Sequence, residues 1–127
     1  MTVRGRVDAG AREAVLPLRV LGGTSNRVEE VYAIVDTGFT GALCLPPDLV
    51  GSLSLPLVGR GVAVLADGRA VETRVHRARV VWRSRERVAR VLATEGGPLA
   101  GMAILRGGRL TVDAAPGDAV RIEELPD

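Results

Sequence analysis

The chain is built from short runs of valine, leucine and alanine that glycine and proline separate. Two of these runs, at residues 79–83 and 88–92, alternate between apolar and polar positions, as strands with one buried face do. Asp67-Gly68 stands between two apolar runs and predicts a hairpin, and residues 84–87 predict a second turn. Strands are predicted at residues 2–7, 14–20, 28–35, 42–45, 62–66, 70–77, 79–83, 88–93, 109–113 and 119–123.

Helical signals are weak and local. Residues 46–50 predict one short turn of helix, because proline suits the first helical position, and residues 102–105 predict another after Gly101. No segment keeps a helical spacing of apolar residues over about three turns. Many short strands at regular spacing therefore predict an all-β fold, a small barrel or sandwich, as a single domain over residues 1–127.

The composition limits the class of protein. Aromatic residues are only 2% of the 127 residues, so valine, leucine, alanine and isoleucine must form the core, and burial against a second copy is a reasonable expectation. Cys44 is the single cysteine, which excludes an internal disulfide and fits a reducing compartment. No run of about 18 apolar residues and no signal-like N-terminus occurs, so we expect a cytoplasmic protein without membrane contact.

Asp36 is the residue that raises the question of chemistry. It follows the apolar run VYAIV directly and begins the glycine-containing turn DTGFTG. A carboxylate at the end of a buried strand is costly unless a partner satisfies it. Either Asp36 forms an Asx-type turn with Thr37 and Gly38, or it has a chemical role.

Three stretches, in order, carry a resemblance to a known family. The stretch AIVDTGFTGALCLP, from residue 33 to residue 46, resembles the active-site loop of the retropepsin-like aspartic proteases, and the likeness is strongest to small bacterial members. PLAGM at residues 98–102 is similar to the apolar pair and glycine that precede that family's short C-terminal helix. VLADGR at residues 64–69 stands where the family places its flap hairpin.

The resemblance implies a small closed β-barrel with one or two short helices that works as a homodimer. It implies Asp36 as the catalytic residue, with Thr37 and Gly38 supporting its loop and a polypeptide as substrate. Ala66, Asp67, Gly68 and Arg69 would cover the substrate, and Leu99, Ala100 and Gly101 would form a second apolar loop near the paired aspartates. The family also implies terminal strands that interleave between subunits. No metal or organic cofactor is implied.

The chemistry explains why a second copy is required. Two carboxylates that share one proton can act as general base and general acid in amide hydrolysis. The chain has one Asp-Thr-Gly loop, because neither Asp67 nor Asp113 stands in such a sequence. A two-fold axis would bring each Asp36 against its twin.

Two alternatives remain open at this point. One is a dimeric protein-binding module with the same fold and little or no activity, in which Phe39 narrows the cleft. The other is nucleic-acid binding by the arginine-rich segment, although its alternation with Val and Ala favours a solvent-facing strand surface. Its basic residues are Arg74, His76, Arg77, Arg79, Arg83, Arg85, Arg87 and Arg90. His76 has no cysteine or second histidine for a metal site, and Cys44 is expected in the core near the Asp36 loop.

Overall fold

The computed structural model describes residues 2–10, 12–24, 26–64, 67–82 and 84–126, and within these the fold is all-β, with ten strands and two short helices. The strands are β1 (Thr2–Val7), β2 (Ala14–Leu21), β3 (Val28–Val35), β4 (Leu43–Leu45), β5 (Leu57–Val64), β6 (Ala70–Trp82), β7 (Arg85–Ala93), β8 (Leu99–Ala100), β9 (Gly108–Val112) and β10 (Gly117–Glu124). The helices are α1 (Pro47–Ser52) and α2 (Met102–Leu105).

The described strands pair in the order β5-β6-β7-β4-β8-β3-β2-β1-β10-β9. A further pairing between β2 and β6, with Val20 opposite Val80, closes the strands from β6 round to β2 into a ring. Most neighbours are antiparallel, but β3 pairs with β8 and β4 pairs with β7 in parallel. Parallel pairing between segments so far apart in sequence means that the ring depends on long-range contacts.

The interior of the ring is aliphatic, as the composition requires. Alternate residues of β2, namely Leu16, Leu18 and Val20, point inward and are buried, while Arg19 is exposed. Trp82 at the end of β6 is the largest fully buried side chain among the described residues. Burial of aliphatic side chains contributes roughly 25 cal/mol per Å² of apolar area, so the ring owes its stability mainly to these positions.

The structure confirms most of the predicted strands and corrects three. Residues 70–77 and 79–83 are not two strands, because β6 runs unbroken through Ala78, which pairs with Ala89 and is small enough to pack in the core. Residues 85–87 are not part of a turn: Arg85 already pairs with Trp82, and Ser84, with φ of 60°, supplies the reversal. β5 begins at Leu57 rather than at residue 62, and the predicted end of that strand at residues 65 and 66 lies outside the described residues.

The predicted hairpin and both predicted helices are present. β5 and β6 are antiparallel, with Val64 opposite Ala70, and Asp67 and Gly68 lie in the connection between them. Gly68 has φ of 86°, a conformation that glycine adopts at little cost. Helix α2 spans residues 102–105 as predicted, and α1 begins at Pro47. None of the described helices has the length and apolar character needed to span a membrane.

The terminal strands pair with each other within one chain. β1 lies between β2 and β10, and β10 lies between β1 and β9. The outer edge of β9 has no neighbouring strand among the described residues. Interleaving of terminal strands between two subunits stays a prediction, because the structure contains a single chain.

We expect Leu16→Ala to lower the free energy of unfolding by about 2 to 5 kcal/mol, because Leu16 is fully buried and the substitution leaves a cavity in the ring. Val28→Ala is the matched control, since Val28 is 55% exposed, and it should change stability by less than about 0.5 kcal/mol. Urea unfolding at one fixed protein concentration measures both, and equal effects would contradict the assignment of the core.

Candidate active site

Asp36 directly follows β3, and hydrogen bonds fix both its backbone and its side chain. Its amide donates to the carbonyl of Ala100 at 2.9 Å, and its carbonyl accepts from the Phe39 amide at 3.1 Å. The carboxylate oxygen Oδ1 accepts from the Gly38 amide at 3.0 Å, which is an Asx turn. Asp36 is half-buried, whereas Thr37 and Gly38 are exposed. The turn therefore fixes one carboxylate oxygen on a surface that solvent or another molecule can reach.

Residues 98–102, here the Gly101 segment, pack directly against residues 36–42, here the Asp36 loop. Strand β8 of this segment lies between β3 and β4, with Val35 opposite Ala100 on one side and Leu43 opposite Ala100 on the other. The Gly101 amide donates to the carbonyl of Ala42, and the Met102 amide donates to the carbonyl of Phe39, both at 2.9 Å. The structure thus brings Leu99, Ala100 and Gly101 beside Asp36, although no strand was predicted there.

The contact between the two segments requires glycine. A Cβ on Gly101 would lie 2.3 Å from the carbonyl oxygen of Gly41 and 2.6 Å from that of Phe39. Real Cβ atoms do not approach backbone so closely, so any side chain at residue 101 would push the Asp36 loop away. This gives a physical reason for the glycine in the PLAGM stretch.

Beneath the Asp36 loop is a second hydrophobic cluster, separate from the ring interior. It consists of Phe39, Cys44, Val75 and Leu92, with Leu99 packed against it. The Phe39 side chain is fully buried and serves as the anchor of the loop. The loop is therefore tied to β4, β6 and β7 as well as to β8, and Cys44 is a core residue as predicted.

The Asp36 carboxylate is close enough to Cys44 to affect the pKa of its thiol. Burial raises the pKa of the Cys44 thiol, a hydrogen bond with the Thr94 side chain acts in the opposite direction, and the Asp36 carboxylate raises the pKa further. The thiol is thus held in its neutral form. A neutral buried thiol is a poor nucleophile, which agrees with a packing role.

The tip of the β5–β6 hairpin is ordered by its own residues. Asp67 accepts from the Arg69 amide at 3.0 Å and from the Arg69 guanidinium at 2.7 Å, and these hydrogen bonds lower the pKa of Asp67. Asp67, Gly68 and Arg69 are exposed, and Ala66, the fourth predicted flap residue, lies outside the described residues. The described hydrogen bonds of the tip link Asp67 with Arg69 and do not reach the Asp36 loop.

The stem of the same hairpin does face the Asp36 loop. A cavity of about 250 Å³ lies between residues 39–42 and the part of β5 from Arg60 to Val62, with Val75, Arg90 and Leu92 completing its walls. Gly61 contributes no side chain to this space. The lining of the cavity begins at Phe39, three residues beyond Asp36.

In the arginine-rich segment, most of the described arginine side chains are exposed to solvent, and one is half-buried against helix α2. Arg74, Arg77, Arg79, Arg85 and Arg90 are exposed, as the alternation predicted, whereas Arg87 is half-buried and donates to the Ile104 carbonyl. Arg83 lies outside the described residues. Nδ1 of His76 lies 3.0 Å from the Leu55 carbonyl oxygen and donates to it in the tautomer that carries the proton on Nδ1. Within the described part of the chain no three His, Cys, Asp or Glu side chains gather as metal ligands would.

Sequence reasoning missed two features of the site. Phe39 was considered as a residue that narrows a cleft, but its ring turns inward and supports the loop. Arg60 and Arg90 were not singled out as cavity residues, because their position depends on how β5, β6 and β7 pair. No protein-family model matches the chain, and comparisons with curated proteins and with solved structures also find no match.

We expect Gly101→Ala to destabilise the protein by about 1 to 3 kcal/mol or more, because the added methyl overlaps the Asp36 loop backbone. Gly51→Ala in α1 is the matched control: nothing lies within 4 Å of its added Cβ, and alanine favours helix by up to about 1 kcal/mol. Thermal or urea unfolding compares the two. A Gly101→Ala protein as stable as the Gly51→Ala protein would contradict the close packing described here.

The raised pKa of Cys44 predicts a pH effect on stability. The unfolded thiol loses its proton first as pH rises above its ordinary pKa of about 9.0, so the folded state then holds more protons and the free energy of unfolding falls. Cys44→Ala removes this contribution. The difference in stability between wild type and Cys44→Ala should therefore be smaller at pH 10 than at pH 8, and an unchanged difference would show that the thiol does not titrate differently on unfolding.

Proposed function

We propose that this chain is one subunit of a homodimeric aspartic endopeptidase of the retropepsin-like fold. The observation that carries the proposal is the Asp36 loop itself: a half-buried carboxylate, fixed by the Gly38 amide and by β8, at the rim of an exposed turn. The ring of strands and the passage of β8 between β3 and β4 support the finer description as a closed barrel of that family.

The proposed mechanism needs two such carboxylates. In the dimer, the two Asp36 side chains would share one proton, since like charges at that distance cannot both ionise. The ionised carboxylate would take a proton from water as the water oxygen bonds to the scissile carbonyl carbon. The protonated carboxyl would give its proton to the carbonyl oxygen, which forms a tetrahedral diol. The carboxyl that took the proton from water would then protonate the departing nitrogen as the carbon–nitrogen bond breaks. One diol hydroxyl would return its proton to the other carboxylate, which leaves a free acid and a free amine and restores the shared proton.

The dimer contact would form around the exposed turn. Thr37 and Gly38 are exposed, and Met102, which follows Gly101, is 49% exposed although it is a large apolar side chain. Thr37 and Gly38 follow Asp36 directly, and the Met102 amide donates to Phe39 of the same loop, so a two-fold axis near these residues would place the two loops side by side. Thr37 and Gly38 would then brace the pair of loops.

The β5–β6 hairpin would cover the bound polypeptide. Its stem already borders the cavity beside the Asp36 loop, and its tip extends beyond the stem. Closure of such a hairpin would exclude water from the carboxylates and strengthen the electrostatic interactions there. The proposal includes a cytoplasmic location, which the free thiol of Cys44 supports.

A second candidate function rests on the Asx turn. Oδ1 of Asp36 is satisfied by the Gly38 amide without any catalytic partner, so the loop is also compatible with a dimeric protein-binding module that hydrolyses little. Activity measurements separate these two candidates.

We expect Asp36→Asn to lower cleavage of an unfolded protein mixture at least about a hundredfold between pH 4 and pH 7, because both acid and base are lost. Asp48→Asn is the matched control, since Asp48 is exposed in the first turn of α1 and should leave activity unchanged. Cleavage is followed by mass spectrometry. Equal activity of wild type and Asp36→Asn would refute the proposal, and inactivity of every protein would favour the binding module.

A further inference from the structure

Two neighbouring cavities border the Asp36 loop and share three of their lining residues. The first, of about 250 Å³, lies under the β5 stem. The second, of about 230 Å³, lies between the N-terminal half of β7 and helix α2. Both are lined by Gly41, Ala42 and Arg90, so the two cavities adjoin at these residues, and we call the pair of cavities the arginine groove.

The charged residues that line this groove are all arginines. Arg60 and Arg90 line the first cavity, and Arg87, Arg90 and Arg106 line the second, while no Asp or Glu is among the lining residues of either. The arginine groove therefore has four arginines in its walls, namely Arg60, Arg87, Arg90 and Arg106. Its remaining walls are mainly apolar, with Val62, Val75 and Leu92 in the first cavity and Val80, Val88 and Ile104 in the second.

The four arginines differ in whether they already have salt-bridge or hydrogen-bond partners. Arg60 has a salt bridge of 3.2 Å with Glu72, Arg87 donates to the Ile104 carbonyl at 3.2 Å, and Arg106 also has an interaction partner. Arg90 forms no salt bridge with the described residues, and it stands at the junction of the two cavities. Arg90 is therefore the arginine best placed to bind an incoming anion.

The strand register places Arg90 opposite another arginine, whereas Arg60 already has Glu72 as its counter-charge. Arg90 lies directly opposite Arg77 on β6, and Arg60 lies directly opposite Arg74. Like charges at opposed positions of antiparallel strands destabilise the pair. A bound carboxylate beside Arg90 would reduce this repulsion and would gain charge-assisted hydrogen bonds from a planar guanidinium.

We propose that the arginine groove binds an acidic side chain of the polypeptide substrate, and this inference rests on the proposed function. The Phe39 amide bonds to the Asp36 carbonyl, so the start of the groove lies within about 7 Å of Asp36 along the loop. An extended peptide advances about 3.3 Å per residue. The acidic side chain would therefore stand at least about two residues from the scissile bond.

The test uses unstructured ten-residue peptides, each made in a Glu form and in a Gln form that differ at one position. Wild type should cleave the Glu forms with kcat/KM roughly tenfold higher when that position is two or more residues from the cleaved bond. Arg90→Gln should reduce the preference below about twofold, and Arg90→Lys should retain part of it. The preference should also weaken in 0.5 M salt, because the groove is open to solvent.

Arg19→Gln is the matched control. Arg19 is equally a single exposed arginine on a strand, but it lies on β2 opposite Glu30 and lines neither cavity. The Arg19→Gln substitution removes the same charge as Arg90→Gln, and this variant should keep the full preference for the Glu peptides. Loss of the preference in this variant would show that the effect comes from net charge, and it would overturn the inference that the groove binds the acidic side chain. Circular dichroism confirms that each variant is folded.

The possible outcomes distinguish a failure of the groove inference from a failure of the proposed protease function. If cleavage depends on Asp36 but Glu and Gln peptides are cleaved equally, the inference is wrong and the proposed function stands. If no peptide is cleaved, the proposed function fails, and binding of the same Glu and Gln peptides, carrying a fluorescent label, then decides the inference. Tighter binding of the Glu forms that Arg90→Gln abolishes supports the groove, and equal binding overturns it. Arg90-dependent binding of a single-stranded oligonucleotide in preference to every Glu peptide would also overturn it.

Discussion

The backbone hydrogen bond from the Asp36 amide to the Ala100 carbonyl is the contact on which the rest of the site depends. It joins the end of β3 to a two-residue strand that lies more than sixty residues further along the chain, between β3 and β4. Gly101 lets the two backbones approach closely, and Phe39 fastens the loop to β6 and β7 from below. A single carboxylate is thereby held by several strands at once, although the loop that carries it is exposed.

That rigidity gives the proposed chemistry its physical basis. Two carboxylates can share a proton only if each is held in a fixed position, because a mobile pair would separate and ionise independently. The Gly38 amide fixes one oxygen of Asp36, and the surrounding turn leaves the face open for a twin. In the proposed dimer, the same loop would bind the partner on one side and begin the substrate groove on the other.

Much of this arrangement could be predicted from the sequence, and the limits follow from the physics of β-structure. The predicted bounds of β1 and β3 match their observed ends, and Gly101 before an apolar run identified α2. Strand β8 was missed because two residues carry no alternation, so it exists only through its pairing with β3 and β4. The continuity of β6 through Ala78, and the place of Arg90 opposite Arg77, depend on strand register, which local sequence does not show.

The central proposal, that two chains each supply one half of a single active site, is tested most directly by refolding wild type and Asp36→Asn protein together in varied proportions. If one site needs both aspartates, activity follows the square of the wild-type fraction, and an equal mixture retains about a quarter of the wild-type rate. Activity proportional to the wild-type fraction, with about half remaining in the equal mixture, would show that each chain acts alone and would contradict the account.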